Sequence, residues 1–331
     1  MSKTREEAWG SIEYDPDLDE FEAQVCVDSP TVAVDRPLSA GCLVTGRCNL
    51  RCDFCYGNDE SLPKEELTLD QWAQVFAHMR SWGLMRVDLS GGEPTIRPDI
   101  ADIARAASAA GLNVVLSTNG LVLHKTGPGR LPREARIHVS IDSGFTEVHE
   151  ASRRLRSLLP SSGSLEKTGR FIQQCVREKY RLRVLTCLGT HNRSGLFQLG
   201  EYIASLGVKE WNLSRILPAG RAQGGYEDRW LIEDESVMEQ IQDMRYAYPW
   251  MRIRYSNRTE QDGYFLLVLP DGSLATQYTD GRDKVVLGRA LEMSLDDLRD
   301  NPHFHLARHV RKWIAAAKSC QHAFCDTPLA A

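Results

Sequence analysis

Between residues 41 and 213 short apolar runs alternate with longer stretches of helical periodicity, and this alternation leaves few architectures open. Residues 42–45, 86–90, 114–117, 137–141, 182–188 and 210–213 read as strands. A helix is expected from Leu69, because Thr68 and Gln71 have the spacing of a capping box and Trp72, Val75, Phe76 and Met79 share one helical face. Further helices are expected over 98–110, 165–180 and 196–206. Strands separated by helices build βαβ units around a parallel sheet. Six strands are too few to close an eight-stranded barrel. The expected fold is therefore α/β: a partial (β/α)6 TIM-like barrel of parallel strands, with a C-terminal α+β extension. In such sheets, functional residues gather at the carboxyl ends of the strands.

Three segments follow from this pattern. Residues 1–38 are acidic and irregular and read as an N-terminal extension, a solvated tail or a lid. Residues 39–220 form the barrel core. Residues 221–331 change character, with a helix over 236–246, a hairpin turning at Pro270, Asp271 and Gly272, and a final helix over 295–317. Hydrophobic residues make up 42% and charged residues 26% of 331, the balance of a folded chain and not of a disordered one. A net charge of −5 gives none of the basic footprint of a nucleic-acid binder. No apolar run approaches the ~20 residues of a membrane helix, and the N-terminus has no hydrophobic stretch of a secretory signal. The cytoplasm is the expected location, and there nine cysteines speak for metal or catalytic chemistry rather than disulfides.

Three of those cysteines, Cys48, Cys52 and Cys55, lie within eight positions directly after the first strand. Soft thiolates at this density select zinc or an iron–sulfur cluster. A closed zinc site takes four ligands, commonly as two paired knuckles, and no second knuckle is present. Three thiols on a cubane of four irons would leave one iron free to bind a small molecule.

With these motifs the chain resembles the radical SAM enzymes, and within them the SPASM/molybdenum-cofactor-cyclase-like and viperin-like branches. The signature is the Cys-x3-Cys-x2-Cys spacing after the first strand, with the aromatic Phe54 before the third cysteine. Ser90-Gly-Gly-Glu-Pro94 ends the second strand, Ser117-Thr-Asn-Gly120 the third and Ser140-Ile-Asp142 the fourth. Arg153 follows His149, and Leu213-Ser-Arg-Ile-Leu-Pro-Ala-Gly220 ends the sixth. The resemblance implies one 4Fe–4S cluster on Cys48, Cys52 and Cys55, with S-adenosylmethionine on its open iron. It implies SAM contacts from Tyr56, Gly91, Gly92, Glu93, Ser117, Asn119, Ser140, Asp142 and Arg153. Gly91 and Gly92 have no Cβ and let a backbone approach closely. Glu93 can accept from an ammonium group, and Arg153 can fork onto a carboxylate.

The implied reaction is reductive cleavage of SAM followed by removal of a hydrogen atom from the substrate, with a flavodoxin- or ferredoxin-type electron donor as partner. Three readings compete. The first is a small polar metabolite of nucleotide or sugar type, with phosphate contacts from Arg215, Arg221, Arg254, Arg258, Arg282 and Lys284. The second is peptide maturation, and the third a non-catalytic sensor. Cys42 and Cys175 read as core residues. Cys187, in the fifth strand, is the candidate hydrogen-atom donor, a role some family epimerases give a cysteine. The last third is similar to a SPASM-type region without an auxiliary cluster: Gln277 stands where that pattern expects a cysteine, and Cys320 and Cys325 are too few to hold one.

Overall fold

The computed structural model describes residues 3–319, except 8–9, 26–34, 58–61, 124–126, 156–162, 257–261, 281 and 283. Three strands come first: β1 (Lys3–Glu7), β2 (Gly10–Asp15) and β3 (Glu20–Val25). The barrel begins with β4 (Ser39–Thr45) and the short β5 (Leu50–Cys52), then α1 (Leu69–Ser81), β6 (Arg86–Gly91), α2 (Ile100–Ala109), β7 (Asn113–Thr118) and β8 (Arg136–Ser140). It continues through α3 (Thr146–Ser152), β9 (Arg153–Leu155), α4 (Ser164–Arg177), β10 (Arg181–Leu188), α5 (Leu196–Ser205) and β11 (Glu210–Arg215). Next are α6 (Tyr226–Arg229), α7 (Asp234–Ala247), β12 (Arg252–Ser256), β13 (Leu267–Val268), β14 (Ser273–Gln277) and β15 (Lys284–Arg289). The chain closes with α8 (Leu295–Arg299), α9 (Leu306–Trp313) and β16 (Ile314–Ser319).

Ten strands form the main sheet in the order β12-β11-β10-β8-β7-β6-β4-β13-β14-β15, and every pair from β12 to β13 is parallel. The partial barrel is thus as expected, but its wall does not stop at β11. Helix α7 and strand β12 add a further βα unit, which the charges of Arg252 and Arg254 hid from a hydrophobic reading. Alternation along each strand sorts the side chains. Val87, Leu89, Val114, Leu116, Ile137, Val139, Val184, Trp211 and Leu213 are buried in the core under the helices. The intervening residues, Arg86, Asp88, Ser117, His138, Ser140, Arg183, Cys187 and Asn212 among them, face the lumen. The capping box at Thr68 and Gln71 is present, and Cys42 and Cys175 lie in the core as expected.

Two expectations fail. The N-terminal segment is not a solvated tail: β1, β2, β3 and β16 form a four-stranded sheet, with Ile12, Tyr14, Phe21 and Ala23 buried. Those residues alternate with acidic ones, so an amphipathic hairpin looks like an acidic coil. The final helix does not run over 295–317 either. It breaks between α8 and α9, around Asn301-Pro302, since the residue before a proline is driven out of helical geometry. From Ile314 the chain turns into β16, which pairs in parallel with β3. Cys26, Cys320, Cys325 and Arg258 lie outside the described residues.

Candidate active site

The three cysteines sit on the loop that leaves β4 at the carboxyl end of the parallel sheet. Cys52 is buried in β5, and Cys48 and Cys55 are half-buried. Strand β5 is held by β9, with Leu50 opposite Leu155 and Cys52 opposite Arg153. All three pack with Leu50, Phe54, Ile216, Ala222 and Trp230 in a small apolar cluster apart from the main core, and Cys187 and Leu121 join them. Burial pushes the Cys52 thiol up to about 12, against the pull of Arg153. The backbone N–H of Leu50 donates to Cys48 Sγ at 3.4 Å, a kind of contact that also tunes cluster sulfurs.

Glycines clasp this loop from two sides. A Cβ on Gly92 would lie 2.1 Å from the carbonyl oxygen of Arg47, and one on Gly91, at φ +127°, 2.3 Å from that of Thr45. The space they leave lets Gly92 N–H donate to Thr45 and Glu93 N–H to Arg47, both at 2.8 Å. The backbone that approaches these glycines is therefore the cysteine loop itself. On the other side, Gly220 lies at φ +59°, where a Cβ would come within 2.4 Å of the Cys55 carbonyl oxygen. Arg221 donates from its backbone to Cys55 at 3.0 Å and from Nε to the Cys52 carbonyl at 2.9 Å.

The remaining strand-end residues form a buried polar frame. Glu93 is 1% exposed and accepts from Thr95, from Thr118 Oγ1 at 2.6 Å and from the Asn119 N–H at 2.7 Å. It joins the ends of β6 and β7, and burial holds its carboxyl above the ordinary value despite those bonds. Asn119 Nδ2 donates to Asn49, next to Cys48, at 2.8 Å. Asp142 is fully buried. It pairs with Arg153 and accepts from the Cys187 N–H at 2.8 Å. The Arg153 guanidinium lies 5.6 Å from the Phe54 ring. The Glu93, Asp142 and Arg153 side chains thus all have partners within the chain. Ser117 donates to Asp88 at 2.8 Å, Ser140 is half-buried at the end of β8, and Tyr56 is 42% exposed.

Phe54 also stacks on His191, with centroids 5.5 Å apart, and both meet Trp230. Sequence reasoning missed His191, Trp230 and the Gly220–Arg221 clasp. His191, three residues beyond the end of β10, sits where strand ends supply site residues and was legible by position. Three of the basic residues read as phosphate contacts are engaged with carboxylates, while Arg221 lies against the cysteine loop. Arg215 pairs with Asp234, Arg282 with Asp280, and Arg254 with Glu20 at the opposite end of the barrel.

The Radical SAM superfamily model matches residues 42–158. Residues 42–158 are a radical SAM domain. The chain is 32% identical over 181 residues to an AdoMet-dependent heme synthase of Methanosarcina barkeri, covering 54% of this chain and 50% of that one. Mycofactocin maturase of Mycobacterium tuberculosis is 25% identical over 76% of this chain and 62% of its own. A S-adenosylmethionine-dependent nucleotide dehydratase of Flammeovirga pacifica is 24% identical over 68% and 77%. The fold matches Streptococcus suis SuiB bound to its precursor peptide, with a TM-score of 0.65, 13% identity and coverage of 82% and 66%. The chain spans about half the length of the heme synthase.

Radical SAM proteins use a 4Fe–4S cluster and S-adenosylmethionine, and the donor set here suits that cluster. Among the described residues no group of three His, Cys, Asp or Glu converges on a point that would hold one metal ion. No described helix is long and apolar enough to cross a membrane.

Proposed function

We propose that the protein is an enzyme that cleaves S-adenosylmethionine reductively at a cluster held by Cys48, Cys52 and Cys55, and removes a hydrogen atom from an unactivated C–H bond. The clasped cysteine loop at the carboxyl end of the sheet carries this reading. When bound, the cluster and SAM supply the electron, the sulfonium leaving group and the adenosyl radical. The chain's part is placement. Gly91, Gly92, Gly220 and Arg221 fix the loop, Glu93, Asn119, Asp142 and Arg153 brace it, and Tyr56, Ser117 and Ser140 line the mouth where SAM would meet the protein. Cys187, which packs beside the three cysteines and whose backbone N–H donates to Asp142, would deliver a hydrogen atom to a substrate radical in this reading. A flavodoxin- or ferredoxin-type protein would deliver the electron.

The carboxylate partners of Arg215, Arg254 and Arg282 weigh against those three as phosphate contacts for the nucleotide reading. The maturase relative supports a peptide substrate, and the nucleotide dehydratase relative keeps the small-metabolite reading as the second. Protein assembled without oxygen should bind about four irons per chain and release 5′-deoxyadenosine with SAM and dithionite. Cys52→Ala should abolish both. Release at the parent rate from that variant would refute the cluster assignment, and iron without any release would favour the sensor reading.

A further inference from the structure

The floor of the lumen is electrically closed. Arg86, Arg136, Arg183 and Arg254 rise from β6, β8, β10 and β12. Arg86 and Arg183 pair with Asp19, Arg136 and Arg183 with Glu210, and Arg254 with Glu20. A phosphate entering from the mouth meets cations that already face carboxylates, Asp88 as well as Asp19 in the case of Arg86, which weakens the fork recognition it would need.

Above that layer stand acceptors. Asp88 lies on β6 between Val87 and Leu89, which are buried on the helix side, so alternation turns its carboxylate into the lumen. Its Oδ1 accepts from Ser117 Oγ at 2.8 Å. Its Oδ2 lies 3.6 Å from Arg86, whose Nε and Nη2 already bond Asp19 at 2.6 and 3.3 Å. The Asp88 side chain keeps 24% exposure. Across the barrel, Asn212 on β11 alternates with Trp211 and Leu213 in the same way, and its Oδ1 is buried with no donor among the described residues. Native proteins leave few buried acceptors unmatched, and each asks for an explanation. Asp88 lies three residues before Gly91 on β6, and Gly91 meets the backbone of the cysteine loop at Thr45, so Asp88 stands below that loop.

The geometry points to Asp88, oriented by Ser117, as the residue that selects the substrate: the lumen takes a nitrogen-centred donor group with positive charge, an ammonium or a guanidinium, in preference to a phosphate. This assignment rests on the reading of the chain as a radical SAM enzyme and names the substrate class of that same site. Asp88 acts by holding the cationic group low in the lumen, so that a neighbouring carbon is presented upward to the mouth.

The test uses iron-loaded, full-length protein with SAM and no reductant, titrated by calorimetry with three probes: acetyl-Gly-Lys-Gly-amide, its norleucine counterpart, and UTP. The lysine peptide should bind about tenfold or more tighter than the norleucine peptide, and UTP no tighter than the norleucine peptide. In Asp88→Asn the lysine preference should fall to about twofold or less, and Asp88→Glu should retain part of it. Ser117→Ala, which leaves Arg86 and Asp19 in place, should lower the preference severalfold and decides the matter if Asp88→Asn does not fold. Iron content and SAM affinity are measured for every variant. Wild-type protein that takes up no iron refutes the cluster reading itself. Iron-loaded, SAM-binding protein that shows no lysine preference, keeps it in Asp88→Asn, or binds UTP tightest overturns the assignment of Asp88 alone.

Discussion

At the scale of single residues, the two glycines before Glu93 decide whether the cysteine loop can seat. Gly92→Ala puts a carbon 2.1 Å from a backbone carbonyl, which cannot swing away as a side chain would. The loop must shift, at a cost of about 1–3 kcal/mol, and the N–H donations from Gly92 and Glu93 go with it. The expected result is a lower midpoint in urea together with poor iron uptake, while the main core remains folded by circular dichroism. A variant that loads iron normally would show that the clasp does not position the thiols. The glycines and the thiols were legible in the sequence because both obey local rules: spacing for the cysteines, and the absence of a Cβ for Gly91 and Gly92. What met those glycines was not legible, since Thr45 and Arg47 are more than forty residues away and only the parallel register of β4 with β6 brings them there.

Elements fail or succeed at their joints, and His309 makes one of the tightest. Its ring is fully buried on α9 and joins three segments. Nε2 accepts from the N–H of Leu38 at 3.1 Å and of Ser39 at 3.4 Å, so Nδ1 carries the proton that is donated to the Tyr264 carbonyl at 2.8 Å. Burial lowers its pKa to about 4, against about 6.5 in the unfolded chain. Between those values the unfolded state takes up a proton that the native state refuses. The contribution of this histidine is therefore present above about pH 6.5 and is lost as pH falls toward 4, by up to about 3 kcal/mol. His309→Phe should be less stable at pH 7 and show a flatter fall in urea midpoint between pH 7 and 4.5; parallel curves for the two proteins would sink this account. The helices and central strands were readable because their periodicity is apolar. Strands β2, β3 and β12 were not, because alternating acidic or basic residues gave their lumen and solvent faces the look of loops. The break after α8 was written in Asn301-Pro302, but the strand that follows α9 exists only because β3 offers an edge.

At the scale of the whole molecule, chemistry and stability occupy opposite ends of one barrel. The cysteines, the glycine clasps and the polar frame gather at the carboxyl ends of the strands, whereas the amino ends are sealed by the turn between β2 and β3. Asp19, at φ +53° in that turn, is buried. It accepts from Tyr14 at 2.7 Å, Arg86 at 2.6 Å and Arg183 at 2.9 Å, and it lies 3.4 Å from His138. One carboxylate thus joins the N-terminal sheet to β6, β8 and β10. The arginines hold its pKa well below the usual carboxylate range, against the cost of burial. Its stabilisation is present above about pH 3.9 and is lost only as pH falls below that. Asp19→Asn keeps the shape but leaves Arg86 and Arg183 buried with half their counter-charge. Breaking a buried pair in this way costs about 3–5 kcal/mol. A solvated tail would tolerate the same change with no shift in melting, so thermal unfolding of Asp19→Asn at pH 7 separates a plug from a tail. Because the substitution lies at the far end of the barrel from the cysteines, protein that stays folded at low temperature should still take up iron. Loss of iron with no loss of stability would mean that the floor and the mouth are coupled, and that the division drawn here is wrong.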